Sequence, residues 1–127
     1  MYQDPRKAYL TSSVSTAGPA TLLVMLCDRL VLDVERALLA QEEGRFTDAH
    51  APLVHAQDIV SELSSSLRVD LWEGATQLRA LYTHLHGQLV LSNVRRDLDA
   101  TRHCLALATD IADTWREAAA AAAAVAS

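Results

Sequence analysis

The side chains in this sequence that could bind a metal or react chemically are its histidines, cysteines and carboxylates. His84 and His86 are two residues apart, so on a helix they point about 200° away from each other and cannot bind one metal ion together. A di-iron helical bundle needs Glu-x-x-His motifs on two helices, and no Glu in the sequence has a His three residues later. We therefore expect neither a bound metal nor any other cofactor.

A nucleophile with a neighbouring base is equally poorly supported. Cys104 lies beside His103, but adjacent residues on a helix face different directions. Asp99 and His103 are four residues apart, a spacing that we interpret as an ordinary surface pair. The four glycines are dispersed, which argues against a glycine-rich phosphate loop. The residue pattern thus indicates that the protein is not an enzyme.

A histidine-phosphotransfer domain is the enzyme-like alternative, because such a domain is also a small four-helix bundle with an exposed His. His84 or His86 could take that role. These domains generally place a Lys soon after the His, whereas here Gln88 and Leu89 follow and Lys7 is the only lysine. The sequence therefore disfavours this alternative.

The length, net charge and apolar content of the chain exclude further classes of protein. The 127 residues suit one domain, and the formal net charge of −5 argues against binding to nucleic acid, which needs a basic face. No apolar run reaches the roughly 20 residues of a membrane span, and the N-terminus lacks the pattern of a signal peptide. We expect a cytosolic protein without membrane insertion, in which Cys27 and Cys104 are reduced and buried.

Apolar residues recur at spacings of three and four along most of the chain, which predicts helices. Gly18-Pro19 should open the first helix and Gly44 should end it. The pattern predicts an all-α fold: an antiparallel up-down-up-down four-helix bundle over residues 18–117, with an irregular N-terminal arm at 1–17 and an Ala-rich extension at 118–127. In order, the four stripes contain Leu23, Leu26, Leu30, Val34 and Ala37; Ala49, Leu53, Ala56, Val60, Leu63 and Leu67; Leu71, Ala75, Leu78, Tyr82, Leu85 and Leu89; and Leu98, Thr101, Leu105, Ala108, Ala112 and Trp115.

The helices also carry more apolar residues than one stripe requires. Ile59 lies beside the second stripe, Leu81 beside the third, and Ile111 beside the fourth. A helix in a monomeric bundle buries one stripe and solvates the rest. The additional residues therefore indicate either a wider core or a surface that binds a partner.

Several segments together resemble one family, the flagellin-specific export chaperones known as FliS. The resemblance covers residues 2–117 and depends on the order and spacing of its pieces. The N-terminal part has spaced tyrosines, Tyr2 and Tyr9. The segments that carry the resemblance are Thr16-Ala17-Gly18-Pro19, Leu22–Asp28, His55–Leu63, Leu81-Tyr82, Leu91–Asp97 and Trp115.

The sequence also departs from that family pattern. Cys27 stands where an aromatic residue is usual, Arg29 replaces a glycine and His55 replaces a lysine. Trp72-Glu73-Gly74 stands where a Gly-Gly pair is common.

The resemblance implies that the protein binds the disordered C-terminal segment of flagellin in the cytosol. Such chaperones keep flagellin subunits from polymerising early and deliver them to the flagellar export gate. Their cargo wraps around the bundle as short helices and extended pieces. An amphipathic segment can dock in an apolar groove through anchors at i, i+3, i+4 and i+7.

We place the flagellin-binding groove on the second and third helices and the facing part of the fourth. Some of its residues must belong to the core, and the 4-3-4-3-4 seam is the better core candidate, which leaves the adjacent stripe as an alternative contact surface. Asn93 and Asp97 could cap the junction of the third and fourth helices or bind cargo backbone. The full set is Ile59, Leu63, Leu67, Leu71, Leu78, Tyr82, Leu85, Leu89, Asn93 and Asp97.

The N-terminal arm carries large apolar residues without helical periodicity. We hypothesise that it forms a lid over the groove, and simple tethering of the terminus is the alternative. The lid residues are Tyr2, Tyr9, Leu10 and Val14.

We expect the free protein to be a monomer or weak homodimer. The rival interpretation is a helical bundle that self-associates as a scaffold.

Overall fold

The computed structural model describes the backbone of residues 5–68 and 73–126 and the side chains of residues 18–68 and 73–125. It contains the helices α1 (Pro5–Glu42), α2 (Phe46–Ser65), α3 (Ala75–Val94) and α4 (Leu98–Ala126). Each helix packs against its neighbours in the chain, and α1 also packs against α4, which closes the ring of four. The predicted all-α four-helix bundle is confirmed.

A break at Gly18 divides α1 into two segments. Gly18 has φ 78° and ψ 163°, which are not helical values, and Pro19 follows it. Proline disfavours the helical conformation in the residue before it, and glycine adopts positive φ readily. The boundary predicted at residue 18 coincides with this break. The backbone of residues 5–17 differs from the predicted irregular arm because it is helical. Apolar periodicity reports which face of a helix is buried, so its absence did not exclude a helix.

Two of the helices are followed by a residue in the left-handed conformation. At the end of α1, the Arg45 amide donates to the Ala40 carbonyl at 2.7 Å and the Gly44 amide donates to the Gln41 carbonyl at 3.0 Å. These are the two bonds of a Schellman motif, in which Gly44 takes the left-handed position with φ 75°. Arg96 takes that position after α3 with φ 53°, and its guanidinium lies 5.2 Å from the centre of the Phe46 ring.

The core contains most of the predicted stripe residues, together with residues outside the stripes such as Ile59 and Ile111. Every stripe residue of α2 from Ala49 to Leu63 is buried, and so are Leu30, Val34 and Ala37 of α1. The core face of α4 is made of small side chains, which allow its backbone to approach α1 closely. The buried residues on that face are Thr101, Cys104, Ala108 and Ala112.

A buried hydrogen-bonded cluster, the Gln41–Ser92–Thr101 junction, connects the end of α1, the end of α3 and the start of α4. The Gln41 side-chain amide donates to the Ser92 carbonyl at 3.1 Å, and the Thr101 hydroxyl donates to Gln41 Oε1 at 2.5 Å. The Ser92 hydroxyl contacts the Thr101 hydroxyl, which also lies 3.0 Å from the Asp97 carbonyl four residues earlier. In the described part of the chain, no buried side-chain nitrogen or oxygen lacks a partner.

A second polar contact links α1 to α2. The Asp33 carboxylate is only 2% exposed, yet it accepts contacts from Arg29 at 3.3 Å and from the His55 ring. Arg29 and His55 are two of the departures from the family pattern described above, and both contact this one carboxylate. A buried carboxylate is costly unless such partners compensate its charge.

The C-terminal part of α4 continues as a helix beyond the residues that line the bundle. The run from Ala120 to Val125 is exposed, and alanine forms helix well without burial. The Ala-rich extension is thus helical to Ala126. Within residues 5–68 and 73–126, no helix is long and apolar enough to cross a membrane.

The Gln41–Ser92–Thr101 junction generates a stability prediction. Replacing Thr101 by Val should lower the free energy of unfolding by about 1–3 kcal/mol, because Gln41 Oε1 and the Ser92 hydroxyl each lose a hydrogen-bond partner in a buried site. Thr109→Val is the matched control, since the exposed Thr109 makes a similar bond to the carbonyl four residues earlier, at 2.8 Å. Urea unfolding should show a change within about 0.5 kcal/mol for the control. Equal losses in both variants would contradict the prediction.

The two buried thiols generate a second prediction. Burial raises the pKa of Cys27 to about 11 and that of Cys104 to about 12. The unfolded chain therefore releases these protons at lower pH than the folded chain, so the contribution to stability is complete below pH 9 and is lost as pH rises. Between pH 8 and pH 10, we expect about 1 kcal/mol of lost stability per thiol. The measurement is urea unfolding at both pH values under reducing conditions.

The double variant Cys27→Ala, Cys104→Ala is the control for other groups that titrate in alkali. Its unfolding free energy should fall less steeply over the same pH interval, although its stability at pH 8 is reduced by the lost packing. Parallel pH profiles for the two proteins would show that the thiols do not contribute.

Candidate partner-binding groove

The candidate site is a mainly apolar groove between α3 and α4, at the end of the bundle where α3 begins. It has a volume of about 470 Å³. We call it the α3–α4 groove, and it is lined by Leu78, Leu81, Asp110, Ile111, Thr114, Trp115 and Ala118.

Helical spacing explains why the groove is apolar. Leu78 and Leu81 are three residues apart on α3, while Ile111, Trp115 and Ala118 follow one another at four and three residues on α4. Each set forms a ridge on one side of its helix. Ile111 is buried and lies at the base, whereas both leucines and Trp115 are half-buried. The groove thus presents apolar side chains that the chain itself covers only in part.

Few polar groups interrupt this surface. The Thr114 hydroxyl donates to the carbonyl of Asp110 at 2.8 Å, within its own helix. The Asp110 side chain is exposed and puts a negative charge at the rim. A partner segment would therefore meet an apolar floor and an acidic edge.

A hydrogen bond holds the largest side chain of the groove in place. The Trp115 indole nitrogen donates to the Tyr82 hydroxyl oxygen at 3.0 Å. Tyr82 is buried in the core, and this burial raises the pKa of its hydroxyl to about 12, so the phenol stays neutral at physiological pH. The bond connects the groove to the core and fixes the indole against α3.

A smaller apolar pocket of about 240 Å³ adjoins the groove, and Trp115 lines both. Leu23 of α1 and Leu67, which follows α2, supply its half-buried apolar walls. The Arg79 guanidinium donates to the carbonyls of Ser64 and Leu67 at 3.2 Å each. This contact terminates α2 and holds Leu67 near the groove, as basic side chains often do at a helix C-terminus.

The structure separates the predicted groove residues into several groups. Leu78 lines the α3–α4 groove and Leu67 lines the adjoining pocket. Leu71 lies outside the described residues. The rest of the apolar set is buried in the core, although Leu63 and Tyr82 also form part of the wall of the adjoining pocket. Ile59 lies beside the predicted seam and the other four lie on it: Leu63, Tyr82, Leu85 and Leu89.

The two polar members of the predicted set lie at the opposite end of the bundle from the groove. Asp97 caps α4, because its Oδ1 accepts the Ala100 amide at 3.1 Å. Asn93 instead contacts His50 of α2, with 2.9 Å between Asn93 Nδ2 and His50 Nδ1. Capping, one of the two roles considered for this pair, therefore applies to Asp97, and Asn93 links α3 to α2.

The predicted lid cannot be compared with the groove directly. Tyr2 lies outside the described residues. Tyr9, Leu10 and Val14 lie on the helical backbone before Gly18, but their side chains are outside the described part of the structure.

Trp115 and Ala118 line the groove but are not among the predicted site residues. Trp115 belongs to the predicted core stripe of α4, and Ala118 to the predicted Ala-rich extension. The usable signal is the spacing of Ile111, Trp115 and Ala118, which continues one helical face past the end of the predicted bundle.

For metal binding, the described residues contain no group of three or more His, Cys, Asp or Glu side chains close enough to hold an ion.

Comparison with known proteins adds an independent observation. The sequence model of the family described as "Flagellar protein FliS" matches residues 1–122. The chain is 29% identical to the flagellar secretion chaperone FliS of Bacillus subtilis over 116 residues, which cover 91% of this chain and 86% of that protein. It is 32% identical to the Escherichia coli protein of the same name over 111 residues, covering 84% and 79%. The Salmonella typhimurium protein of that name is 31% identical over 117 residues, covering 87% of both chains.

Proposed function

The chain belongs to the FliS family of flagellar proteins, and from this premise we propose that it is a cytosolic chaperone that binds the disordered C-terminal segment of flagellin. Its similar relatives are named flagellar secretion chaperones. By holding that segment, the protein prevents premature polymerisation of flagellin and aids its delivery to the flagellar export apparatus. The action is one of binding without catalysis.

The observation that supports this proposal most directly is the α3–α4 groove. Its Leu78, Leu81 and Trp115 side chains are half-buried in the described chain, so a partner can remove further apolar surface from water. Full burial of one Leu-sized side chain contributes roughly 1.5–3 kcal/mol. The groove lies between two helices, the usual setting for recognition of an amphipathic helix.

A disordered partner has to order when it binds, and this costs about 2–5 kcal/mol or more. One groove residue cannot offset that cost, whereas several in a continuous track can. The α3–α4 groove and the adjoining pocket share Trp115, so they form such a track around one end of the bundle. We propose that a helical part of the flagellin segment occupies the groove and that the neighbouring chain continues past Trp115 to Leu67 and Leu23.

Rigidity of the site supports the same function. Trp115 is tied to the buried Tyr82, and Leu67 is positioned by the contacts of Arg79. Anchors that are already positioned lose little conformational freedom on binding. The chaperone thus supplies an ordered surface on which the flexible cargo can fold.

A single substitution in the groove tests the proposal. Leu81→Gln should weaken binding of a flagellin C-terminal peptide about 10-fold or more, because it removes one apolar anchor worth roughly 1.5–3 kcal/mol. Leu39→Gln is the matched control, since Leu39 is a 55% exposed leucine on α1, away from the groove. Isothermal titration calorimetry should find the affinity of the control within about twofold of wild type.

The outcomes separate the location of the site from the function. Normal binding by Leu81→Gln together with loss in Leu39→Gln would place the site on another face. No binding of flagellin peptide by the wild-type protein would reject the proposed function. Size-exclusion chromatography with and without peptide distinguishes a heterocomplex, which the proposal requires, from a self-associating scaffold that ignores the peptide.

We further propose that residues 1–17 act as a lid that covers part of the groove when cargo is absent. The break at Gly18 supports this idea, because its non-helical backbone divides α1 into two segments. If the lid occupies the groove for most of the time, the apparent affinity for cargo is reduced by the fraction of open molecules.

Deleting residues 1–15 should therefore strengthen binding of the flagellin peptide by several-fold and lower the melting temperature of the free protein. Replacing Tyr2, Tyr9, Leu10 and Val14 together by Ser in the full chain should have the same two effects, which distinguishes lost contacts from a shortened chain. Calorimetry and thermal unfolding measure them. If affinity and melting temperature are both unchanged, residues 1–17 only tether the terminus.

A further inference from the structure

Two histidines that are distant in the sequence meet on the surface between α3 and α4. His84 of α3 and His103 of α4 have their Nε2 atoms 2.9 Å apart. Their ring centres are 5.2 Å apart and the ring planes are inclined by 76°. Both side chains are exposed. Spacing along a single helix had excluded joint metal binding for His84 and His86, but it says nothing about a pair formed across two helices.

We propose that His84 and His103 together form a binding site for a divalent transition-metal ion of the nickel or copper kind. Two imidazole nitrogens bound at 2.0–2.1 Å to one ion are about 2.9 Å apart when they are adjacent ligands at a right angle. The two Nε2 atoms are 2.9 Å apart in a hydrogen bond, so the exposed rings have to turn only slightly for both nitrogens to reach one ion.

The protonation of the pair is compatible with this role. Without metal, one ring donates its Nε2 proton to the lone pair of the other Nε2. For both nitrogens to bind an ion, the donating ring must carry its proton on Nδ1 instead, and the exposed rings must turn until both lone pairs point to one position. Water can supply the remaining ligands because the site is open to solvent.

The two side chains are held on helices that already pack together, so an ion has to reorient two rings but not the backbone. His84 follows Leu81 by three residues on α3, and His103 precedes Ile111 by eight residues on α4. The pair therefore lies at the end of the α3–α4 groove away from Trp115. A bound ion would join α3 to α4 at this point and limit their separation. The proposal does not depend on the function proposed above.

Nickel chloride titrated into untagged protein tests this site. Calorimetry should detect one Ni²⁺ site per chain that depends on both histidines, and His84→Ala and His103→Ala should each weaken its affinity at least 10-fold. His86→Ala is the matched control, because His86 is only two residues from His84 on α3 but lines a cleft toward α2. Its affinity should stay within about twofold of wild type. Mg²⁺ should not compete, because it prefers oxygen ligands.

Thermal unfolding provides a second measurement. Excess Ni²⁺ should raise the melting temperature of the wild type by about 5 °C and leave that of His84→Ala almost unchanged, since only the folded state brings the two rings together. The far-ultraviolet circular dichroism of each variant should match wild type, because the altered positions are exposed and alanine favours helix. Wild-type nickel affinity in either single variant, or equal loss in His86→Ala, would overturn the proposal.

Discussion

Buried hydrogen-bonding groups must find partners inside a protein, and at one end of this bundle that requirement sets the relative positions of three helices. Gln41, Ser92 and Thr101 satisfy one another only if the ends of α1 and α3 meet the start of α4. Apolar side chains tolerate small sliding movements, whereas hydrogen bonds in a buried network depend on the distances and angles between the helices that carry them. At the opposite end, where α3 begins, the polar contacts between helices include the Trp115–Tyr82 bond, the bonds of Arg79 to carbonyls at the end of α2, and the Arg116–Asp28 ion pair. The α3–α4 groove lies at that end.

The size of the core side chains explains why the groove opens between α3 and α4. The face of α4 toward α1 carries small residues such as Cys104 and Ala108, so α4 lies close to α1. Nearer its C-terminus the same helix carries Ile111 and Trp115, which extend toward α3 and fill only part of the space there. Close packing on one side of α4 is thus accompanied by an incompletely filled space on the other. A partner segment can complete the packing that the chain itself leaves unfinished.

Periodicity predicted four helices and most of the core because burial of one face repeats with the period of the helix. It could not decide which of two neighbouring stripes on α3 faces the core, since both contain large apolar residues, and so Leu85 and Leu89 were included in the groove although they are buried. The sequence pattern does not predict contacts between helices, for a different reason. The pairs His84–His103 and Asp33–His55 depend on the rotation and registration of packed helices, and no spacing within one helix encodes these. The helical backbone before Gly18 was missed because that stretch has no apolar stripe, although a helix does not need one.

The alanine-rich end of α4 has a practical consequence for work on this protein. Ala120–Val125 continue the helix into solvent, and six residues at about 1.5 Å each add a spacer of roughly 9 Å. Extending an existing helix costs little, because each further residue adds a hydrogen bond without a new nucleus. A fluorophore or affinity handle placed after this spacer would stand off from the bundle in a defined direction, which suits distance measurements by energy transfer. The same handle at the N-terminus would be attached to the segment before Gly18 and would report the position of that segment instead.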